Sequence, residues 1–181
     1  MSHSTSPELD TWLAEPAVRI THCRASQVAP DDLWQAAREI HLTDTRMLGR
    51  LVRWRIPGVP SQATFEELFR GPPFTVLDES DHALVSGLVG RIWTLRRDYP
   101  VLENPEDFQA WSKGGTAKVV FAHWVEPAEN DGSLLRSESR VEAFGTRGRI
   151  GLASVRPLIS RFHQLVANEA LAGAVRAAER H

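Results

Sequence analysis

Apolar and polar residues alternate along two neighbouring stretches near the end of the chain, Thr116–Glu126 and Ser133–Phe144, which a short turn joins. A period of two is typical of a half-buried strand, so the pattern predicts an antiparallel hairpin. One face carries small and apolar side chains and is expected to face a helix; the other is expected to face solvent. The first set is Ala117, Val119, Phe121, His123, Val125, Leu135, Ser137, Ser139, Val141 and Ala143; the charged set is Lys118, Glu126, Arg136, Glu138, Arg140 and Glu142.

From about Gly148 to Arg180 apolar residues recur three and four positions apart, which predicts a long terminal helix. Pro157 lies inside this pattern, so a kink or a restart is expected there. The same criteria predict three earlier strands and four earlier helices. The strands are Ala17–Ala25, Phe74–Glu79 and His82–Leu95, the last bent at Gly87 or Gly90; the helices are Pro30–Ile40, Thr43–Trp54, Thr64–Phe69 and Pro105–Ser112.

This order of elements predicts an α+β protein with a helix-grip fold, in which a curved antiparallel β-sheet wraps around one long C-terminal α-helix. Such a fold leaves an apolar hollow between sheet and helix, and the small Ser137 and Ser139 are expected to leave space there. The connection Arg96–Gly115 is a candidate lid. Residues 1–16 are interpreted as an N-terminal tail, in which Leu9, Trp12 and Leu13 form at most one docked helical turn, and residues 17–181 as one domain.

Composition narrows the class of protein. A chain of 181 residues with 42% hydrophobic and 24% charged residues is of ordinary globular type. Its net charge of −2 gives no general attraction to nucleic acid or to an anionic membrane. Cys23 is the single cysteine. Met1–Glu15 has no basic n-region and no apolar run, so it is not expected to be a secretory signal, and no run of about 18 apolar residues occurs. A cytoplasmic protein without nucleic-acid or integral membrane contacts is expected.

Four short segments carry a family resemblance: Val85–Trp93, Gly115–Lys118, Ser137–Val141 and Arg156–Ile159. With the order of elements, they resemble a bacterial branch of the START-like superfamily, also called SRPBCC or polyketide cyclase-like, over about residues 17–178. The resemblance implies a deep cavity for an apolar or amphipathic small molecule. It transfers no catalytic residues, because that superfamily has no universal catalytic set.

Six residues are predicted to bind the ligand. Phe121 and His123 lie on the inner strand face, Phe162 lies on the terminal helix, and Arg91 shares a predicted strand face with Trp93. Arginine in a cavity would anchor a carboxylate or phosphate, and histidine would orient a ligand or move a proton. Trp111 completes the set, within an aromatic pocket that Trp54, Trp93, Trp111 and Trp124 would line.

His163, next to Phe162 on the terminal helix, could also face the cavity or its rim. All of these residues have a plain structural interpretation as well. His123 is then a core histidine bonded to a neighbour, His163 a partly exposed helix residue, and the tryptophans ordinary core. Glu138 and Arg140, with Lys118 on the adjacent strand, are read as an outer-face charge ladder. A metal held by His123 and His163 would need a third ligand, and no H-x-x-x-H spacing exists, so neither a metal nor another cofactor is predicted.

Three function classes remain open from the sequence. The preferred one is binding of an apolar or amphipathic molecule, lipid-like or aromatic, between sheet and terminal helix. The second is a cyclase- or hydratase-type enzyme using cavity acid–base residues, with no catalytic residue assigned. The third is a protein-interaction module, and a homodimer stays open as well.

Overall fold

Five antiparallel strands form one sheet, in the order β1-β5-β4-β3-β2. They are β1 (Val18–Ser26), β2 (Thr75–Ser80), β3 (Ala83–Gly90), β4 (Ala117–Pro127) and β5 (Ser133–Ala143). The structure is a computed structural model that describes residues 6–56, 58–94, 96 and 98–180, without the side chain of Asn130. Together with the long terminal helix, this sheet confirms the predicted fold class.

Helices precede, interrupt and follow the sheet. They are α1 (Asp10–Leu13), α2 (Pro30–Glu39), α3 (Leu48–Arg55), α4 (Phe65–Arg70), α5 (Pro105–Ala110), α6 (Gly145–Leu165) and α7 (Ala172–Ala178). Short 3-10 turns occupy Leu42–Asp44 and Glu129–Asp131, so the helix predicted over Thr43–Trp54 is split into a turn and α3. Side chains cap α4 and α5 as their sequences indicate: Thr64 accepts from the Glu67 N–H, and Asn104 from the Asp107 N–H.

The terminal helix consists of α6, a π-helical segment Val166–Leu171, and α7. It begins three residues before the predicted start, at Gly145, where φ is +70°. The predicted restart at Pro157 is wrong, because α6 runs through that residue. The departure from α geometry comes at the π segment, where the Glu169 carboxylate accepts from the backbone N–H groups of Met47 and Leu48 at 3.0 and 2.9 Å.

Both faces of the sheet are covered, and each contributes to a separate core. The inner face packs against α2–α4 and the terminal helix; its core includes Val18, Leu33, Leu48, Leu84, Leu88, Val119, Val141, Leu152 and Leu171. The outer face packs against α1 and α5; its core includes Leu9, Leu13, Leu77, Val85, Val89, Phe108, Val120, Ala122 and Trp124. The hairpin Phe74–Leu95, whose buried face the sequence leaves open, is therefore buried on both faces over β3, whereas Asp78–Ser80 of β2 are exposed. Leu95 itself lies outside the described residues.

The predicted solvent face of the last hairpin is wrong in its central part. Glu138 and Arg140 are 4% and 5% exposed, because α1 covers them. The Arg140 guanidinium donates to the Leu13 carbonyl at 2.7 Å, to Glu138 at 2.6 Å, and also to Asp10. Lys118 is buried as well and donates to the Gln109 carbonyl of α5 at 2.8 Å. These charges face outward as predicted, but they join helices to the sheet.

Strand β3 ends at Gly90, so its predicted continuation to Leu95 is wrong. Gly90 has φ +140°, and a Cβ there would collide with the Asp98 carbonyl, so the chain turns away from the sheet at this point. Gly87 causes no bend, since β3 keeps its register with β4 across it. The irregularity lies in β2, between Val76 and Asp78.

None of the helices in the described part of the chain combines the length and apolarity that crossing a bilayer requires.

Candidate functional site

The main cavity lies between the inner face of the sheet and the terminal helix, under α3 and α4. It encloses about 930 Å³, counting the solvent at its open mouth. Its lining is almost wholly apolar and comprises Leu51, Val52, Arg55, Ile56, Leu68, Phe69, Phe74, Leu88, Ile92, Tyr99, Val119, Phe121, Val141, Val155, Leu158, Ile159, Phe162 and His163.

Three transverse rows of inner-face side chains define the floor. Strand register places Val18, Val141, Val119 and Leu88 in the first row; Ile20, Ser139, Phe121 and Ser86 in the second; and His22, Ser137, His123 and Leu84 in the third. The cavity opens over the first row and Phe121. The predicted hollow is therefore present. Its lining includes Phe121 of the second row but neither Ser137 nor Ser139.

Phenylalanines supply most of the aromatic wall. The ring of Phe121 lies 5.5 Å from Phe69 and 5.7 Å from Phe74, centroid to centroid, in tilted and edge-to-face contacts. The aromatic pocket predicted from tryptophans is wrong. Trp54 is exposed, Trp93 covers Gly151 of α6, and Trp111 and Trp124 belong to the outer face.

Among the described residues that line the cavity, Arg55 carries the one permanent charge, and it lies at the mouth. Arg55 donates to the Thr94 carbonyl at 2.8 Å and the Ile92 carbonyl at 2.9 Å, and also to the Tyr99 hydroxyl. These bonds tie α3 to the loop that follows β3. Leu158 on the terminal helix is half exposed on the same cavity, which places the opening between α3 and this part of α6.

The opposite end of the cavity is polar. His163, five residues beyond Leu158, lines the cavity and is only 3% exposed. Its ring centroid lies 6.1 Å from that of His22 on β1 and 5.8 Å from that of Phe162. We call His22, His123, His163 and Ser139 the histidine cluster; its members come from β1, β4, the terminal helix and β5.

Burial keeps these imidazoles neutral at pH 7. It lowers the pKa of His123 to about 4, and burial together with the nearby His22 and His123 lowers the pKa of His163 to about 4. The pKa of His22 is lowered as well, by burial and by the Arg24 guanidinium, against a hydrogen bond to the His163 backbone. Neutral imidazole has one N–H donor and one nitrogen acceptor, so each ring offers two hydrogen-bonding positions.

A second pocket lies beside the main cavity, between α2, α4 and the end of the terminal helix. It measures about 470 Å³ with its open side, and its lining includes His123, Leu84, Trp34, Leu171 and Phe69. Phe69 also lines the main cavity, and its ring centroid lies 4.8 Å from that of His123 in a tilted contact. The histidine cluster therefore lies where the two hollows approach each other, with Phe69 between them.

The six predicted ligand residues separate into three groups. Phe121 and Phe162 line the main cavity, and His123 lines the second pocket. Arg91 and Trp93 lie on the loop after β3, so the strand face assigned to them is wrong; they border a groove near the start of α6. Trp111 lies across the sheet, where its Nε1–H donates to the Thr116 hydroxyl at 3.0 Å.

The connection predicted as a lid follows the outer face for most of its length. Phe108 of α5 is fully buried in the outer core, against Gly87. Tyr99, near the start of this connection, does border the cavity. Pro105–Ala110 is thus on the wrong side of the sheet to close the cavity.

Sequence reasoning missed His22 and Arg55 and misjudged His163. His22 alternates with Val18 and Ile20 on an apolar face, which was a usable signal for a buried imidazole. The expectation that His163 is partly exposed is wrong, since this side chain is buried; the Nε2 atom of His123 has no hydrogen-bond partner. Arg55 reaches the site only because a loop folds against α3, and a local pattern carries no signal for that.

The histidine cluster lacks the geometry of a metal site. Within the described residues, no three His, Cys, Asp or Glu side chains come close enough together to hold a metal ion. The cluster offers hydrogen bonds and proton-accepting nitrogens, next to a hollow with apolar walls.

No protein-family model matches the chain, and no curated protein sequence matches it. Solved structures with a similar course of the chain include a hypothetical protein from Helicobacter pylori, with 12% identity, 98% of each chain covered and a TM-score of 0.45. A protein from Thermus thermophilus has 11% identity, covers 90% of this chain and 98% of its own, and has a TM-score of 0.37.

The Zhui aromatase/cyclase from Streptomyces sp. R1128 is a further similar structure, with 13% identity, 88% of this chain and 94% of its own covered, and a TM-score of 0.33. Similarities of this size support no conclusion about family or activity. The fold assignment rests on the strand order and the terminal helix described above.

Proposed function

We propose that this protein binds an apolar or amphipathic small molecule, lipid-like or aromatic, in the main cavity. The observation that carries the proposal is the cavity itself: a hollow between sheet and terminal helix, open on one side, whose walls are mostly side chains of Leu, Ile, Val and Phe. Membership of the START-like superfamily, suggested by the sequence segments quoted above, belongs to the same proposal.

Burial of apolar surface supplies the binding free energy in such a site. Each Å² of apolar ligand surface removed from water contributes about 25 cal/mol before the entropy cost of binding. The hollow lies between elements that are already packed, with α3 tied to the terminal helix by Glu169 and to the β3 loop by Arg55. A preformed site loses little free energy to ordering.

A fluorescent apolar probe, 1-aminoanthracene, tests the proposal directly. Val155 lines the cavity from the terminal helix and is half buried, so Val155→Trp places an indole in the hollow. Val101 is exposed, and Val101→Trp is the matched control that adds the same side chain outside the cavity.

Fluorescence titration should show saturable, stoichiometric binding to the wild type and to Val101→Trp. Binding to Val155→Trp should be at least about tenfold weaker, since a tenfold change corresponds to about 1.4 kcal/mol. Equal binding to all three proteins would place the probe elsewhere and contradict the proposal.

A second candidate, an acid–base enzyme of cyclase or hydratase type, is favoured by one observation. His163 lines the end of the cavity with the imidazoles of His22 and His123 near it, and burial lowers the pKa of all three. Neutral imidazoles accept protons, and positioned bases accelerate proton transfer by about 10²–10⁴-fold. Exchange of the α-protons of 2-tetralone in D₂O, followed by NMR, tests this; exchange no faster with the wild type than with Val155→Trp would exclude it.

A further inference from the structure

Four buried side-chain atoms stand out in the described part of the chain because they have no hydrogen-bond partner: His22 Nε2, His123 Nε2, His163 Nδ1 and Ser139 Oγ. All four belong to the histidine cluster. A buried polar atom without a partner costs about 1–3 kcal/mol, so native proteins pair nearly all of them. Four such costs in one place indicate that something outside this chain supplies the missing hydrogen bonds.

We propose that the histidine cluster is the polar subsite of the main cavity, and that it receives an uncharged hydroxyl group on an otherwise apolar ligand. The ligand class is thus an aromatic or alicyclic alcohol or phenol. This inference rests on the proposed function, since it specifies which molecule the cavity selects.

His163 makes the subsite accessible from the cavity. It is the one member of the cluster that lines the main cavity, and it lies at the end away from Arg55. Rotation about its Cβ–Cγ bond moves Nδ1 from one edge of the ring to the other, and this torsion has a broad energy minimum in histidine. An unpaired nitrogen can therefore turn toward a ligand while the remainder of the cluster stays behind it.

The chemistry of the cluster selects a hydroxyl over a carboxylate. A hydroxyl both donates and accepts, which matches neutral imidazole and the Ser139 hydroxyl. A carboxylate would bring a charge into a buried site, at a cost that requires a cationic partner. Arg55 lies at the mouth, and Arg24, the charged group that acts on His22, is exposed and donates to Ala167 and Asn168.

2-Naphthol and 2-methylnaphthalene have similar shapes, and a hydroxyl in the first replaces a methyl group in the second. Comparing the two probes isolates the contribution of the hydroxyl to binding. Their ratio of dissociation constants is measured for the wild type, His163→Leu and His163→Asn. Asparagine keeps a polar atom near the position of Nδ1, whereas leucine removes it. The preference for 2-naphthol should fall about tenfold in His163→Leu, the upper range for one neutral hydrogen bond, and should stay within about threefold in His163→Asn.

The outcomes distinguish the two proposals. If neither probe binds to the wild type, the proposed function fails and the inference fails with it. If both bind but the preference is unchanged in His163→Leu, the cavity binds ligands and only the polar subsite is wrong.

A measurement on the wild type keeps the inference testable if a variant does not fold. In ¹⁵N NMR spectra of the imidazole rings, 2-naphthol should shift the His163 nitrogens and 2-methylnaphthalene should not. Equal shifts from both probes, or none from either, would overturn the inference.

Discussion

At the scale of single residues, the buried imidazoles of His123 and His163 couple folding to pH. Burial lowers the pKa of both from an ordinary value of 6.5 to about 4, so the unfolded chain binds more protons between these values. The two histidines therefore cost the fold no stability above pH 6.5, and the free energy of unfolding decreases as the pH falls from 6.5 toward 4.

Urea denaturation at pH 7 and pH 5 measures this loss, which we expect to be on the order of 2 kcal/mol for each histidine. His163→Asn should therefore lose less stability than the wild type over this interval, with His123 and His22 still contributing. His41 is exposed, and His41→Asn should behave as the wild type does. An identical pH dependence in His163→Asn would show that its imidazole is not held neutral by burial.

The buried Glu138–Arg140 pair makes a second prediction at this scale. Arg140→Met leaves the Glu138 carboxylate buried, with the mostly exposed Arg19 as its remaining ion-pair partner. Removing one partner of a buried pair costs about 3–5 kcal/mol, more than replacing both partners with apolar residues. The double variant Glu138→Leu/Arg140→Met should thus unfold at a higher urea concentration than Arg140→Met. A single variant as stable as the wild type would contradict the role given to this pair.

At the scale of elements, hydrophobic periodicity is informative where one face of an element is buried. The alternation in Thr116–Glu126 predicts β4 and its inner face to within a residue, and the spacing in Pro30–Ile40 predicts α2. Where both faces are buried the pattern loses its meaning. The charges of Glu138 and Arg140 predict a strand face exposed to solvent, yet α1, which is remote in sequence, covers these two residues.

The residues of the candidate site were also predictable only where they lie in a periodic element. Phe121 and Phe162 were predicted to line the hollow because each lies in a periodic element, and they do line it. Arg91 and Trp93 were misplaced because Gly90 ends β3 through a close approach to Asp98, a contact that local sequence does not reveal. The partnership of His22 with His163 depends on β1 pairing with β5 and on the docking of the terminal helix.

Gly87 tests the packing of α5 on the sheet. A Cβ at this position would lie 2.6 Å from the Phe108 ring, so Gly87→Ala forces α5 away from β3. We expect a loss of about 1–3 kcal/mol, the usual cost of overpacking a core. Gly114 has open space around it, and Gly114→Ala is the matched control, expected within about 0.5 kcal/mol of the wild type. Equal thermal unfolding of the two variants would contradict this packing.

At the scale of the whole molecule, the two faces of the sheet differ in how they are packed. The centre of the outer face is covered by α1 and α5, and Lys118 and Arg140 there donate to helix carbonyls. The inner face has two hollows, one over Val119 and Val141 and a second beside His123, between α2, α4 and the terminal helix. A core open on one side, with a charged mouth and a polar inner end, has the form of a binding site for one small molecule.

The most direct test of this account is an isotope-filtered NMR measurement of contacts between unlabelled 2-naphthol and ¹³C-labelled protein. The account predicts nuclear Overhauser effects from the naphthol ring to Val119, Phe121, Val155 and Phe162, and none to Val85 or Val120 on the outer face. Absence of contacts to the inner-face residues, or contacts confined to exposed side chains such as Met47 and Ile150, would contradict the claim that the cavity between sheet and terminal helix is the binding site.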